Sequence, residues 1–191
     1  MITGIILAGG YSSRAQTNKM MLLINGKPIV EHVILTMKVS CQKIIVVTGH
    51  YHDEISQAIS HYTDVKIVKN QEYDSGMFSS VLCGLKEVDS DFFLVPGDYP
   101  MIQSSTYKML KENQGLIRVP VYKGRRGHPI FIKKELIDEL LNEPVESNLK
   151  VFRDRHQVEY VETKDAGILQ DIDTIEDYEK MLTKKERVEI L

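Results

Sequence analysis

The 191-residue sequence has few cysteines, no long apolar run and little net charge. Its two cysteines, Cys41 and Cys83, are too few for a disulfide scaffold and lack the C-x-x-C spacing of a zinc or redox site, so we expect reduced, buried thiols. No apolar run approaches the roughly 18 residues of a membrane helix. The start of the chain has neither the basic residues nor the apolar length of a signal peptide. These absences predict a cytoplasmic protein without a membrane partner.

The formal net charge of -3 provides no overall field that would attract nucleic acid. Nucleic acid is therefore not an expected partner, and an anionic ligand must be held by a few placed groups. The 42% hydrophobic and 27% charged fractions are typical of a globular protein. Because one hydrophobic core is expected at this length, we predict a single domain over residues 1–191. The sequence makes no prediction about oligomeric state.

Short β-branched apolar runs alternate with amphipathic stretches through the first half of the chain. The runs predict strands at residues 2–7, 43–48, 65–68 and 91–95, and the stretches predict helices at 28–39, 53–60 and 77–88. This alternation is typical of βαβ units, which build a parallel sheet covered by helices on both faces. The expected fold class is a three-layer α/β structure.

The second half of the chain has a different order of elements. Strands are predicted at residues 116–122 and 129–132, joined by a polar turn at 123–127, which indicates an antiparallel addition to the sheet. Helices are predicted near 104–113, 133–141 and 174–182, and short strands at 157–162 and 167–169. The sheet is therefore expected to be mixed but mostly parallel.

The strongest chemical feature is the loop that directly follows the first strand. It carries small, hydroxyl and cationic side chains in this order: Gly9, Gly10, Ser12, Ser13, Arg14 and Lys19. Ligands of open α/β sheets bind outside the carboxyl ends of the strands, where glycine backbone N–H groups, hydroxyls and cations can all contact phosphate oxygens. A tight turn would explain the two glycines alone. The full set predicts a triphosphate-binding loop.

Two familiar phosphate-binding motifs do not match this chain. A Walker loop needs Gly-Lys followed by Ser or Thr, whereas Gly26 and Lys27 are followed by Pro28. A dinucleotide fold needs G-x-G-x-x-G and an acidic residue at the end of the second strand, where this chain has Thr48, Gly49 and His50. A dinucleotide oxidoreductase is an alternative function, and nicotinamide binding would support it.

The loop resembles the signature of a nucleotidyltransferase family, Leu-Ala-(Gly/Ala)-Gly, then Arg, then Lys after four intervening residues. Here these positions are Leu7, Ala8, Gly9, Gly10, Arg14 and Lys19. Later blocks extend the resemblance along nearly the whole chain, at Asn70, 76–81, 84–85, 96–100, 127–129 and 171–177. They are most similar to the molybdenum cofactor cytidylyltransferases among the MobA-like NTP transferases. This resemblance implies a Rossmann-like nucleotidyltransferase fold.

The resemblance also implies an activity and a set of site residues. The activity is transfer of a nucleoside monophosphate, CMP from CTP, to a phosphorylated acceptor such as molybdenum cofactor, with release of pyrophosphate. Leu7 to Gly10, Ser12 and Ser13 would bind the nucleotide, and Arg14, Lys19 and Asp98 would be catalytic. Asn70, Ser79 and Ser80 would lie near the base or ribose, although capping explains at least one of them equally well. His128 would contact the acceptor.

Carboxylates at strand ends predict a magnesium site. Asp98 follows the apolar strand at 91–95, so its side chain is expected to face the glycine loop, although an aspartate here also suits a helix cap. Mg²⁺ requires only one or two carboxylates besides phosphates and waters. The second carboxylate is Asp171 or Asp173, and similarity to related transferases favours Asp173, while either could cap the helix at Thr174.

Several positions leave the base and the acceptor open. The Gly76-Met77-x-Ser-Ser block favours a cytidylyltransferase, whereas the Gly9-Gly10 pair is closer to the guanylyltransferases. Gln16 stands where the family commonly has glycine, and residues 143–148 replace its Gly-Asp-x-Gly-Ala-Arg stretch. A different phosphorylated acceptor and a non-catalytic nucleotide-binding protein are the alternatives. His50 and His52 could simply be solvated loop residues. Arg125 and Arg126 could also be solvated, or they could bind an acceptor phosphate.

Overall fold

The structure is a computed structural model that describes residues 1–11, 17–144 and 146–189, with side chains described as far as residue 183. Three predicted ligand contacts, Ser12, Ser13 and Arg14, lie outside the described residues, as does Gln16. None of the helices in the described part of the chain combines the length and apolar character needed to cross a membrane.

Strands and helices alternate along the chain. The strands are β1 (Ile2–Ala8), β2 (Leu23–Ile24), β3 (Lys27–Pro28), β4 (Lys43–Thr48), β5 (Val65–Lys69), β6 (Asp91–Pro96), β7 (Ile117–Tyr122), β8 (Arg125–Arg126), β9 (Ile130–Ile132) and β10 (Val158–Glu162). The helices are α1 (Ile29–Lys38), α2 (His52–Ile59), α3 (Met77–Leu85), α4 (Ser104–Glu112), α5 (Ile137–Leu141), α6 (Leu149–Asp154) and α7 (Ile175–Glu189).

Over the described residues, the central sheet has the strand order β10-β7-β9-β6-β1-β4-β5, with β8 paired to β7. Strands β6, β1, β4 and β5 are mutually parallel, and β10 runs parallel to β7. Strand β9 is inserted between β6 and β7 and runs antiparallel to both. The prediction of a mostly parallel, mixed sheet is confirmed.

The two faces of the sheet bury separate apolar clusters because strand side chains alternate between faces. On one face, Ile6 and Val46 pack with Val33 of α1. On the other face, Ile5 and Val47 belong to the cluster that contains Phe78 of α3. Both faces are covered by helices, which confirms the three-layer architecture and explains why the central strands read as continuous apolar runs.

Both cysteines are free thiols in the structure. Cys41 is buried beside α1, and burial raises the pKa of its thiol to about 12, which suppresses thiolate chemistry. Cys83 is half-buried on α3, and burial raises the pKa of its thiol as well.

Residues 167–169 do not form the predicted strand, which is a correction to the sequence analysis. They belong to a 3-10 helix, Ala166–Leu169, because the buried Asp165 carboxylate organises the chain there. Its Oδ1 accepts from the N–H of Gly167 at 2.8 Å, and its Oδ2 accepts from the N–H of Gln103 and the hydroxyl of Thr106. Local side-chain hydrogen bonds have replaced a strand ladder.

Sequence reasoning also missed helix α6. Asn148 caps this helix by accepting a hydrogen bond from the N–H of Val151 at 3.0 Å, but Phe152 is its one buried residue. A single buried position in six residues produces no helical periodicity that could be read from sequence. The helix predicted at 133–141 is present as a 3-10 turn, Lys134–Leu136, followed by α5.

The parallel strands end together at one edge of the sheet. Ala8 pairs with Thr48, Leu7 with Pro96 and Thr48 with Lys69, so the chain leaves β1, β4, β5 and β6 at the same level. Backbone hydrogen bonds continue past the strand ends, from Gly97 N–H to the carbonyl of Leu7 at 2.8 Å. This edge is where the topology places ligand sites in such sheets.

A substitution at Gly84 tests the close packing of α3 on the sheet. A Cβ atom at this position would lie 2.7 Å from Val47 Cγ2 and 2.9 Å from Ile5 Cγ2. We expect Gly84→Val to lower the free energy of unfolding by about 1–3 kcal/mol through overpacking. Urea unfolding measures the loss, with Cys83→Val on the same helix as the control. Equal stability of the two variants would contradict this packing.

Candidate active site

The glycine turn after β1 is built for close backbone packing on one side and ligand access on the other. A Cβ atom at Gly9 would lie 2.9 Å from the hydroxyl of Ser80, so a side chain there would press against α3. Gly10 is exposed, and a Cβ atom there would meet nothing within 4 Å. Leu7 and Ala8 are buried, so at this turn they can offer a nucleotide their backbone groups.

Asn70, Ser79 and Ser80 lie together beneath this turn. The amide of Asn70 donates to the hydroxyls of Ser79 at 2.8 Å and Ser80 at 3.0 Å. The Ser79 hydroxyl lies 2.8 Å from two backbone carbonyls, those of Glu72 and Gly76. The three side chains are buried and fix the start of α3 against the glycine turn. Their contact with a nucleotide stays a prediction.

Lys19 is positioned by a 3-10 turn, Lys19–Met21, which Asn18 caps by accepting from the N–H of Met20 at 3.2 Å. The ammonium group of Lys19 lies 2.6 Å from Asp98 Oδ2 and 3.0 Å from Asp173 Oδ1. Three residues that are far apart in sequence therefore meet at the carboxyl edge of the sheet. We call them the Lys19 cluster.

The Lys19 cluster is largely shielded from solvent. The side chains of Lys19, Asp98 and Asp173 are 13%, 14% and 35% exposed. Burial lowers the pKa of Lys19, but the charges and hydrogen bonds of the two aspartates outweigh it, and the net pKa is raised. Burial raises the pKa of Asp98, with Lys19 opposing this shift and the charge of Asp171 adding to it. The lysine is therefore held as a cation.

Asp98 has one carboxylate oxygen available for a further ligand. Its Oδ2 contacts Lys19, while its Oδ1 is buried without a hydrogen-bond partner among the described residues. A buried oxygen without a hydrogen-bond partner lowers the stability of the fold unless a ligand pairs with it. Within the described ranges no group of three or more His, Cys, Asp or Glu gathers as a metal site. Two carboxylates nevertheless fit Mg²⁺, which takes its other ligands from phosphates and water.

The segment before α7 brings Asp173, and not Asp171, into contact with Lys19. The N–H of Ile172 donates to the carbonyl of Asp98 at 3.0 Å, which fixes this segment beside the end of β6. The helix is capped by Thr174, whose hydroxyl oxygen accepts from the N–H of Asp177 at 3.1 Å, while Asp177 Oδ2 accepts from the N–H of Thr174 at 3.0 Å. This geometry supports the preference for Asp173.

His128 contacts Tyr99, the residue that directly follows Asp98. Its ring packs edge-on against Tyr99, with 4.9 Å between ring centroids, and its Nδ1 is buried without a hydrogen-bond partner among the described residues. Burial, with a smaller contribution from the charge of Arg153, lowers the pKa of His128 to about 4. The imidazole is therefore neutral at physiological pH.

The other polar residues that the sequence singled out lie farther from this cluster or on the surface. Arg125 and Arg126 are exposed on β8, and Arg126 stacks over Tyr160 at 4.5 Å. His52 forms a hydrogen bond between its Nδ1 and the hydroxyl of Thr48 at 2.7 Å.

Sequence reasoning missed an aromatic group beside the glycine turn. The Tyr11 ring lies 4.8 Å from that of His50 and 5.4 Å from that of Tyr73, and the Tyr51 hydroxyl donates to the carbonyl of Tyr11. The group draws on three segments at the carboxyl edge, which follow β1, β4 and β5, and His50 and Tyr51 share one of them. No local sequence pattern identifies a group that only the tertiary fold assembles.

Sequence reasoning also missed a cavity of about 290 Å³ on the α3 face of the sheet. Its walls come mainly from β1, β6, β9, α3 and α6, and they include Leu7, Phe78, Pro96, His128, Leu149 and Arg153. Lys150 also lines it. The sequence signal was weak, namely two basic residues three positions apart on a short helix that periodicity did not reveal.

Comparisons with known proteins identify a family and agree with the fold. The sequence profile of the family described as MobA-like NTP transferase domain matches residues 4–160. The molybdenum cofactor cytidylyltransferase of Escherichia coli (strain K12) is 31% identical over 189 residues, which cover 96% of this chain and 95% of that protein. A probable molybdenum cofactor guanylyltransferase of Bacillus cereus (strain G9842) is 26% identical over 151 residues, covering 73% and 74%.

Solved structures share the architecture. A nucleotidyl transferase from Methanothermobacter has a TM-score of 0.84 at 22% identity, with 98% of this chain and 99% of that chain covered. A manganese complex of a Mycobacterium tuberculosis H37Rv protein has a TM-score of 0.77 at 23% identity, with 95% and 98% covered. At these identities the likeness shows the fold. Together, the profile match over residues 4–160 and the 31% identity over 96% of the chain show that this protein belongs to the MobA-like NTP transferase family.

Proposed function

We propose that this protein transfers CMP from CTP to a phosphorylated acceptor, molybdenum cofactor, with release of pyrophosphate and with Mg²⁺ as its cofactor. The observation that carries the proposal is the Lys19 cluster, in which a cation and two carboxylates meet at the edge of the sheet where the glycine turn follows β1. The cytidylyltransferase name of the Escherichia coli relative supports the choice of nucleotide and acceptor. The proposed setting is the cytoplasm.

The chemistry requires positioning more than covalent participation. The acceptor oxygen attacks the α-phosphate in line with the departing pyrophosphate, so the protein must align the groups and balance the charge that develops. Lys19, with its raised pKa, is the fixed cation for the triphosphate. The N–H of Gly10 and the side chains of Ser12, Ser13 and Arg14 are the proposed phosphate contacts.

Asp98 and Asp173 are the proposed metal ligands. Asp98 contributes its unpartnered Oδ1, and Asp173 lies across Lys19 from it. Nucleotidyltransferases of this family commonly use divalent metals, and the manganese complex among the solved neighbours supports a divalent ion at this fold. Bound Mg²⁺ would neutralise charge on the triphosphate and on the leaving pyrophosphate.

The proposed nucleoside contacts act through the backbone as much as through side chains. Asn70, Ser79 and Ser80 hold the start of α3 beside Gly9, so the base and ribose would meet a surface that these residues keep rigid. His128 remains the proposed acceptor contact. Since its pKa is about 4, we assign it a hydrogen bond rather than proton transfer at neutral pH.

A guanylyltransferase is the second candidate, because the Bacillus relative carries that name and this chain has the Gly9-Gly10 pair. A protein that binds nucleotide without catalysis is the third candidate. The paired carboxylates of the Lys19 cluster oppose it, since nucleotide binding alone does not require two metal ligands. Pyrophosphate release separates enzyme from binding protein.

Replacing Asp98 tests the metal assignment. Asp98→Asn keeps the shape of the side chain but removes its charge, so we expect pyrophosphate release with Mg²⁺ to fall on the order of 100-fold. The matched control is Asp91→Asn, at the opposite end of β6, where the carboxylate pairs with Lys133. The control should retain the wild-type rate. Unchanged turnover by Asp98→Asn, with an intact fold by circular dichroism, would show that the metal assignment is wrong.

A nucleotide panel tests the base. We expect CTP with Mg²⁺ to raise the melting temperature more than GTP, ATP or UTP, because ligand at 100 times its dissociation constant stabilises the native state by about 2.7 kcal/mol. Chelation of the metal should abolish most of the shift. The largest shift with GTP would favour the guanylyltransferase, and a shift with NAD instead would favour an oxidoreductase.

A further inference from the structure

The cavity between α3 and α6 reaches the ends of β1 and β6 at Leu7 and Pro96, and among the described residues that line it, Leu7 is the one already assigned to the nucleotide. We propose that this cavity receives a planar heterocyclic ring carried by the acceptor, with Arg153 and Lys150 balancing the acceptor's anionic group. The inference rests on the proposed function, since it places the acceptor of that transfer. It assigns a binding site and two basic residues that the sequence did not predict.

The walls of the cavity suit a flat ring. Phe78, Pro96 and Leu149 supply apolar surfaces from α3, the end of β6 and α6. The volume of about 290 Å³ is at the lower limit of ordinary ligand pockets. It is large enough for a fused two-ring heterocycle and too small for a complete nucleoside triphosphate. The cavity therefore fits one part of a ligand whose remainder lies outside.

His128 gives this apolar cavity a polar group to recognise a ring edge. Its side chain lines the cavity, and its buried Nδ1 has no hydrogen-bond partner among the described residues. An unsatisfied buried nitrogen costs stability unless a ligand pairs with it. A heterocycle that carries both donors and acceptors on its edge would satisfy it in either tautomer.

Basic side chains on α6 add positive charge to the cavity. Lys150 and Arg153 are three residues apart on this helix and both line the cavity. Arg153 donates through Nε and Nη2 to Asp154 Oδ1, at 2.9 and 2.7 Å, which leaves other guanidinium donors for a ligand. The local charge favours an anionic ring substituent over a neutral ring.

The cavity is connected to the reacting groups through Tyr99. This residue directly follows Asp98, and its ring contacts that of His128 at 4.9 Å between centroids. Leu7 and Pro96, the strand-end residues of β1 and β6, also line the cavity. A ring held there by His128 would keep a phosphate on a short linker within reach of Arg153, while Tyr99 joins this side of the cavity to Asp98.

A binding experiment with a defined probe tests the cavity without requiring turnover. The probe is 6-hydroxymethylpterin phosphate, a fused heterocycle with a phosphate on a one-carbon linker, followed by its fluorescence. We expect saturable binding to the wild-type protein. Leu149→Trp, which fills the cavity, should weaken binding at least 10-fold. The control Val151→Trp, at an exposed position on the same helix that does not line the cavity, should bind within two-fold of wild type.

Removing the positive charge of Arg153 is the second test of the cavity. Arg153→Gln should weaken probe binding about five-fold or more, whereas Arg155→Gln, which lies outside the cavity lining and pairs with Glu143, should leave it within two-fold. Unchanged melting shifts with CTP and Mg²⁺ in all four variants would show that the fold and the nucleotide site are intact. No binding by the wild type, or equal binding by Leu149→Trp, would overturn the inference.

The two proposals fail in different ways. Probe binding that depends on Leu149 and Arg153, without pyrophosphate release from CTP and any acceptor, would retain the cavity assignment and reject the transferase function. Conversely, pyrophosphate release in which Leu149→Trp leaves the KM for the acceptor unchanged would retain the function and reject the cavity assignment.

Discussion

The contact of Lys19 with two aspartates holds the candidate site together. It joins the loop after β1 to the end of β6 and to the segment before α7, and no two of these regions are adjacent in sequence. Each partner depends on the others, because a buried carboxylate without a cation and a buried ammonium without an anion are both expensive. The sheet makes the contact possible, since its parallel strands deliver their loops to one edge.

Much of the fold and part of the site could be predicted from sequence, for identifiable reasons. Strands that are buried on both faces appear as apolar runs, and their carboxyl ends converge whatever the loops contain. Asp98 and Lys19 could thus be placed together before any contact was known. The assignment of Asp173 required similarity to related proteins. Residues 167–169, which precede it, form a 3-10 helix rather than the predicted strand, so no strand end places this side chain.

The remaining site features arise from tertiary contacts that local patterns do not encode. Helix α6 buries one side chain, so neither its existence nor the direction of Arg153 could be inferred. The pairing of Asn70 with Ser79 and Ser80 requires the end of β5 to meet the start of α3, and sequence alone could not decide between a ligand contact and a cap. In such folds, the functional residues lie in loops that the edge of the sheet brings together.

In the absence of a ligand, the ammonium group of Lys19 is the cation that pairs with Asp98 and Asp173. In the resting protein it screens the repulsion of two nearby negative charges and keeps both side chains oriented before any ligand arrives. A polyphosphate that enters with a divalent ion brings an anion for the lysine and a cation for the carboxylates at the same time. Under the proposed function, ligand entry would exchange the ionic partners of Lys19, Asp98 and Asp173, so that each charge keeps a partner of opposite sign.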